Sequence, residues 1–232
     1  MSQDLKASAR TLYNKQTLSD VKIKQTNYGK TLEYYAHKAV LCGQSEYFMQ
    51  AFTGSFKEAS ENEMEFHEDD PDHFEFALKF IYTLEYDKDE IKRLTNNDPD
   101  KQLLIPIGIH AVADKYSITK LIAPASDHIK SQLESLRHNY DQSSLFAIIS
   151  AYYETCADAD SQVGQALVDI LLTRYSDTAK GETFHALLKD FPTFSTDVAL
   201  FSSRNDLLGG VGICAGTCSA CKELNYFKVD CY

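Results

Sequence analysis

The amino-acid sequence predicts an α+β protein in which a short mixed sheet is capped by a cluster of helices. Residues 19–24 alternate apolar Val21 and Ile23 with lysines, which is the two-residue period of a half-buried strand. From His37 onward, apolar residues recur at the three- and four-residue spacing of amphipathic helices. A short stretch at 64–66 is a third strand candidate. The strands therefore come early, and helices dominate the rest of the chain.

The first two strands are predicted to form a hairpin. The stretch 27–30, with sequence NYGK, is composed of turn-forming residues, and 31–36 is predicted to be the returning strand. Two short helices should follow from His37, because Gly43 and Ser45 interrupt the helical pattern there.

A longer helix is predicted to begin after Asp70. The Asp70 side chain can accept hydrogen bonds from the first free N–H groups of the helix, and Pro71 suits its first position. The many charges of residues 87–102 predict a loop. Helical spacing then predicts helices at 104–116, 119–136, 143–156, 161–175 and 182–190.

These patterns divide the chain into four parts. Residues 1–16 are polar and weakly patterned, and we interpret them as an N-terminal arm. Residues 17–137 should form one α+β domain, and residues 138–204 a small helical extension. The remaining part, 205–232, contains glycine and cysteine and is predicted to be a C-terminal tail.

Composition excludes several classes of protein. The net charge is −11, and no basic stripe offsets it, so direct binding to nucleic acid is not expected. No run of 18 apolar residues predicts a membrane span, and the polar N-terminus does not have the pattern of a signal peptide. We therefore expect a cytoplasmic or nuclear protein whose six cysteines are reduced.

His37 and Cys42 raise the question of a nucleophilic site, because an imidazole can activate a nearby thiol. Residues five positions apart on a helix point about 140° away from each other. The two side chains should therefore not face one substrate, and we interpret His37 as a buried, hydrogen-bonded histidine. No serine elbow, phosphate-binding loop or His-Glu-x-x-His motif is present, and we predict that the chain is not an enzyme.

Four cysteines near the C-terminus suggest a zinc site. Cys214, Cys218, Cys221 and Cys231 are separated by three, two and nine residues. Thiolates two or three residues apart on a glycine-rich turn can bind zinc tetrahedrally. Structural sites with four cysteines usually contain two close pairs, whereas here three cysteines crowd together and the fourth is the next-to-last residue. A tail of free thiols, or of cysteines used as small apolar residues, is the alternative.

Several motifs in order give the first part of the chain a family resemblance. They are Leu18–Val21 (LSDV), Ala36–Leu41 (AHKAVL), Ser45–Phe48 (SEYF), Phe52–Glu58 (FTGSFKE), Phe80–Tyr86 (FIYTLEY) and Ala113–Tyr116 (ADKY). Together they resemble the BTB/POZ domain over about residues 17–136. The Leu84 variant, the long charged segment and the compact size are most similar to BTB proteins of filamentous fungi.

The resemblance implies a protein–protein interaction module that forms homodimers. In the family, an aspartate and a basic residue line a charged pocket beside the dimer interface, and Asp20 and Lys38 occupy those positions. Lysine replaces the arginine of better-known members, so a bidentate ion pair with the aspartate is lost. His37 is a structural residue in this pattern.

The resemblance also implies a partner. BTB domains that bind a cullin often carry a hydrophobic residue and, two positions later, a glutamate, and Phe56 and Glu58 match that pattern. The chain is therefore expected to be a substrate adaptor of a cullin-type ubiquitin ligase. The alternative is a non-enzymatic scaffold or transcriptional co-regulator with no ubiquitin role, because no kelch repeat, MATH domain or tandem zinc fingers follow to select a substrate.

Overall fold

A computed structural model gives the structure of most of the chain. It describes residues 9–27, 29–54, 61–96, 98, 100–136, 142–155, 158–175, 181–205, 207, 211–217 and 224–230. The chain divides into two compact units, residues 1–156 and residues 157–232, and each is described by itself. The predicted domain boundaries at 137 and 204 stay predictions.

The first unit contains a mixed three-stranded sheet. Strands β1 (Val21–Asn27) and β2 (Lys30–Ala36) form an antiparallel hairpin, as predicted, and β3 (Glu63–His67) runs parallel to β1 on its other side. Val21 and Ile23 point into the core, whereas the lysines between them are only partly buried. The period-2 alternation therefore identified the buried face of β1 correctly.

Helices surround this sheet. The helical residues 9–12 are labelled α1. The other helices of the first unit are α2 (Lys38–Cys42), α3 (Glu46–Thr53), α4 (Pro71–Thr83), α5 (Lys88–Thr95), α6 (Lys101–Lys115), α7 (Thr119–Leu136) and α8 (Gln142–Tyr153). Ser45 caps α3 by accepting a hydrogen bond from the N–H of Phe48, and Asp70 caps α4. The predicted α+β class is confirmed.

The prediction of a loop over 87–102 was wrong. Residues 88–95 form α5, which begins where the Asp87 carboxylate accepts the N–H of Glu90 at 2.9 Å. Ile91 and Thr95, four positions apart, are buried and hold the helix against its neighbours. Charged residues cover its other faces, and the high charge of the segment concealed this narrow buried stripe.

An aromatic cluster occupies the core between the sheet and the helices. The rings of Phe66, Phe74 and Tyr116 lie with centroids 5.1–5.6 Å apart, and the Phe48 ring stacks on Tyr116. Edge-to-face and stacked aromatic pairs contribute about 0.5–1.5 kcal/mol beyond the area that they bury. The cluster therefore fixes β3 against α3, α4 and the end of α6.

A buried carboxylate connects this cluster to the sheet. The Asp69 side chain, only 8% exposed, accepts hydrogen bonds from the Tyr116 hydroxyl and, at 2.8 Å, from the Lys115 ammonium. Its backbone carbonyl accepts from the side-chain amides of Gln25 and Asn27 at 2.5 and 2.8 Å. One residue thus joins β1, the segment after β3 and the end of α6.

The second unit contains α9 (Gln162–Arg174), α10 (Glu182–Asp190), α11 (Pro192–Arg204), and strands β4 (Val211–Thr217) and β5 (Leu224–Asp230). Buried Asp197 accepts the N–H of Asp160 at 2.5 Å and the amide of Gln165 at 3.2 Å. Arg204 also binds the Asp160 carboxylate through two nitrogens. The sequence patterns predicted neither α11 nor the β4–β5 hairpin.

We expect Asp69→Ala to lower the free energy of unfolding by about 2–4 kcal/mol, because it leaves the Tyr116 hydroxyl buried without an acceptor and removes the partner of Lys115. Urea denaturation of the full chain measures this change. Glu65→Ala, at an exposed position of β3, is the matched control and should cost less than about 0.5 kcal/mol. Equal losses for the two variants would contradict the role given to Asp69.

Candidate protein-interaction surfaces

His37 is a structural histidine, as predicted. The side chain is 4% exposed; its Nδ1 lies 3.0 Å from the Tyr82 hydroxyl and its Nε2 lies 2.8 Å from the carbonyl oxygen of Thr17. Because a carbonyl can only accept, Nε2 carries a hydrogen, and in the neutral ring Nδ1 accepts from the Tyr82 hydroxyl. The Tyr82 oxygen in turn accepts the backbone N–H of His37 at 3.0 Å. Both ring nitrogens are therefore engaged in holding the fold.

Cys42 does not complete a nucleophilic pair with His37. Its thiol donates to the carbonyl oxygen of Phe48 at a sulfur–oxygen distance of 3.6 Å. Burial raises the pKa of the thiol, which favours the unreactive protonated form. Since both imidazole nitrogens bind other groups, His37 and Cys42 have a structural role and not a catalytic one.

Asp20 and Lys38 are brought together, but through the lysine backbone. The Asp20 carboxylate accepts the Lys38 N–H, the first of α2, at 2.7 Å. The Lys38 ammonium donates to the Glu61 carbonyl at 3.0 Å and lies 5.0 Å from the centre of the Phe52 ring. Asp20 is exposed in the single chain and acts as a helix cap supplied from the start of β1. Their place in a dimer pocket stays a proposal.

Leu18 is a candidate for contact with a partner that the sequence patterns did not single out. It lies in a turn closed by a hydrogen bond from the Ser19 N–H to the Gln16 carbonyl at 3.1 Å. Its φ of 60° belongs to the left-handed region, which glycine and asparagine occupy more readily than leucine. The side chain is nevertheless 80% exposed. Because the turn contains no glycine or proline, the residue types gave little sign of it.

The arm residues next to this turn pack on their own unit. The Tyr13 ring meets the Tyr82 ring edge to face, with centroids 5.7 Å apart. The Asn14 side-chain oxygen accepts the N–H of Tyr35 at 3.0 Å, and Arg10 pairs with Glu85. The described part of the arm therefore supports the turn that presents Leu18.

The predicted cullin-binding motif lies in a segment that the structure does not describe. Phe56 and Glu58 lie outside the described residues. The helix that precedes them in the chain, α3, exposes Tyr47 and Met49. These two side chains add apolar surface immediately upstream of the predicted cullin-binding motif.

One of the four tail cysteines lies among the described residues of the β4–β5 hairpin. Cys214 belongs to β4, whereas Cys218, Cys221 and Cys231 lie outside the described residues. The first residue of β4 pairs with the last residue of β5, Asp230, at the open end of the hairpin. The four-cysteine zinc site stays a prediction.

Among the residues whose side chains are described, no group of three or more histidine, cysteine, aspartate or glutamate side chains could hold a metal ion. In the same part of the chain, no helix has the length and hydropathy needed to cross a membrane.

Comparison with known proteins identifies the family of the first unit. A family model of the BTB/POZ domain matches residues 10–133, which is more than half of the chain. The chain belongs to the BTB/POZ family. A search of curated proteins gives no match.

The BTB domain is a protein–protein interaction domain, so the family resemblance and the interaction function predicted from the sequence motifs are confirmed. The matched range holds the sheet, α2 to α6 and most of α7. It includes Leu18, Asp20 and Lys38 as well as the Phe56–Glu58 motif. The absence of enzymatic activity and the particular likeness to BTB proteins of filamentous fungi stay predictions.

We expect Tyr82→Phe to lower the free energy of unfolding by about 1–3 kcal/mol, because it removes the oxygen that serves both the His37 ring and the His37 N–H. Chemical denaturation measures the loss. Ser131→Ala removes a hydroxyl from an exposed side chain of the same BTB domain and should be nearly neutral. If Tyr82→Phe were as stable as Ser131→Ala, the network around His37 would not carry the stability assigned to it.

Proposed function

We propose that this BTB domain self-associates through a surface where the hairpin strands meet α2. This hairpin-end surface consists of Leu18, Asp20, Tyr35 and Lys38. The Asp20 N–H binds the carbonyl of Ala36, so the residues before β1 lie beside the end of β2. The observation that carries the proposal is Leu18, an exposed leucine held in a left-handed turn.

The backbone strain at Leu18 supports this proposal. A non-glycine residue in the left-handed region costs about 1–3 kcal/mol, and such residues cluster at functional sites. The turn is held by the Ser19–Gln16 hydrogen bond and by the bond from His37 to the Thr17 carbonyl. A rigid turn presents the leucine without an ordering cost on binding.

The charges of the surface fit a second copy of the chain. Two-fold symmetry places the same patch on both sides of an interface, so a self-complementary patch needs charges of both signs. Asp20 supplies an exposed carboxylate, and Lys38, whose backbone N–H that carboxylate accepts, supplies a cation. In a symmetric pair the acid of one copy can approach the base of the other while the leucines are buried between them.

We expect the full chain to be dimeric at about 50 µM in analytical ultracentrifugation, and Leu18→Asn to weaken the dimer by at least about tenfold. Asparagine accepts the left-handed conformation, so this variant should fold as well as the wild type. Leu207→Asn removes another exposed leucine, 52% exposed, and should leave the dimer unchanged.

A strictly monomeric wild type at that concentration would overturn the proposal of self-association. An equal effect of Leu18→Asn and Leu207→Asn would show that the hairpin-end surface is not the interface.

We further propose that the domain acts as a substrate adaptor for a cullin-type ubiquitin ligase. The support is the motif at Phe56 and Glu58 within a BTB domain, together with the exposed Tyr47 and Met49 of the preceding helix. An apolar anchor that enters a partner groove, with a carboxylate at its rim, is an effective arrangement for docking. The alternative is a scaffold or co-regulator that binds no cullin.

We expect Phe56→Ala to weaken binding to a purified cullin by roughly 1–3 kcal/mol, as is typical of a buried anchor, and Glu58→Ala to weaken it less. Biolayer interferometry with the immobilised chain measures both. Glu33→Ala, at an exposed position of β2, is the matched control for loss of a carboxylate and should bind like the wild type. A wild-type chain that does not bind a cullin would favour the scaffold or co-regulator.

A further inference from the structure

A cavity of about 320 Å³ lies between α5, α6 and α7. Its volume lies at the lower end of the range for small-molecule sites. The lining is unusually polar, and it is formed by Lys88, Asp89, Ile91, Lys92, Thr95, Gln102, His128 and Gln132. The interaction surfaces described above contain none of these residues.

Two lysines give the cavity a positive rim. Lys88 and Lys92 are four positions apart on α5, so they project from the same side of the helix, and neither has an ion-pair partner among the described residues. Lys88 also occupies the first position of α5, where the helix dipole disfavours a cation. Two like charges at these positions are unfavourable for the helix itself, on a chain whose net charge is −11.

Two neighbouring carboxylates, those of Glu90 and Asp87, already have partners within the fold. Glu90 pairs with Lys79, and Asp87 caps the helix through the Glu90 N–H. Asp89 is the one carboxylate in the described lining of the cavity. With two lysines and one carboxylate, the described lining has a net positive formal charge.

A buried imidazole, that of His128, also lines the cavity. The Nδ1 of His128 lies 3.1 Å from the Tyr86 hydroxyl, and its Nε2 lies 3.2 Å from the side-chain nitrogen of Gln132. Burial, and to a lesser extent the charge of Lys88, lowers the pKa of His128, which favours the neutral ring. The amide of Gln102 adds a further hydrogen-bonding group to the wall.

We propose that this cavity binds a small anionic molecule through a phosphate or carboxylate group held by Lys88 and Lys92. The ammonium groups supply charge-assisted hydrogen bonds, and the amides of Gln102 and Gln132 contact the rest of the ligand. Ile91 provides the apolar part of the wall. This ligand site is independent of self-association and of cullin binding.

Isothermal titration calorimetry of the full chain with inorganic pyrophosphate and with citrate, at constant ionic strength, tests the proposal. We expect saturable binding of at least one anion, and the stronger of the two identifies a phosphate or a carboxylate ligand. The Lys88→Gln, Lys92→Gln double variant should bind at least about tenfold more weakly. Arg93→Gln removes a cation from the same helix but not from the cavity lining, and it should bind within about twofold of the wild type.

A second readout locates the anion. An anion beside His128 should raise the pKa of that imidazole, which NMR titration of histidine-labelled chain follows in the presence and absence of the better-binding anion. Three results would overturn the proposal. They are no saturable binding of either anion up to about 10 mM, an equal loss in Arg93→Gln and the double variant, and a His128 pKa that the anion leaves unchanged.

Discussion

The first turn of α2 imposes the constraint on which the interaction surface depends. The N–H groups at a helix start have no partner within the helix, and here they are satisfied by groups from distant parts of the chain. Tyr82 of α4 accepts the N–H of His37, and Asp20, before β1, accepts the N–H of Lys38. The His37 ring then reaches from Tyr82 to the Thr17 carbonyl. A short helix with little stability of its own is thereby fixed between the arm, the hairpin and α4.

This arrangement separates the residues that hold the fold from those that can meet a partner. The His37 ring is buried and saturated with hydrogen bonds, whereas Leu18, one residue beyond its Thr17 contact, is exposed. A second buried centre, at Asp69, joins the other end of β1 to the end of α6. With both ends of β1 fixed, the hairpin-end surface has a rigid support, and rigidity reduces the entropy lost when two chains associate.

Much of the fold could be predicted from the sequence, because in many elements the local residue pattern and the tertiary packing favour the same structure. Alternation around Ile23 gave β1, and Asp70 with Pro71 gave the start of α4. The predictions were wrong or incomplete where contacts with distant residues, and not the local sequence, determine the structure. In α5 the buried pair Ile91 and Thr95 is outnumbered by charges, and the cavity that it borders depends on packing against α6 and α7. The turn at Leu18 lacks the residue types that usually mark its conformation, since bonds to distant groups impose it.

We infer that this BTB domain meets a second copy of itself at the hairpin-end surface. Amide hydrogen exchange of the full chain, measured at about 1 µM and about 100 µM, tests it most directly because the two concentrations bracket the expected association. We expect slower exchange at the higher concentration in residues 17–20 and 35–38. Exchange that does not depend on concentration, or protection confined to other segments, would contradict it.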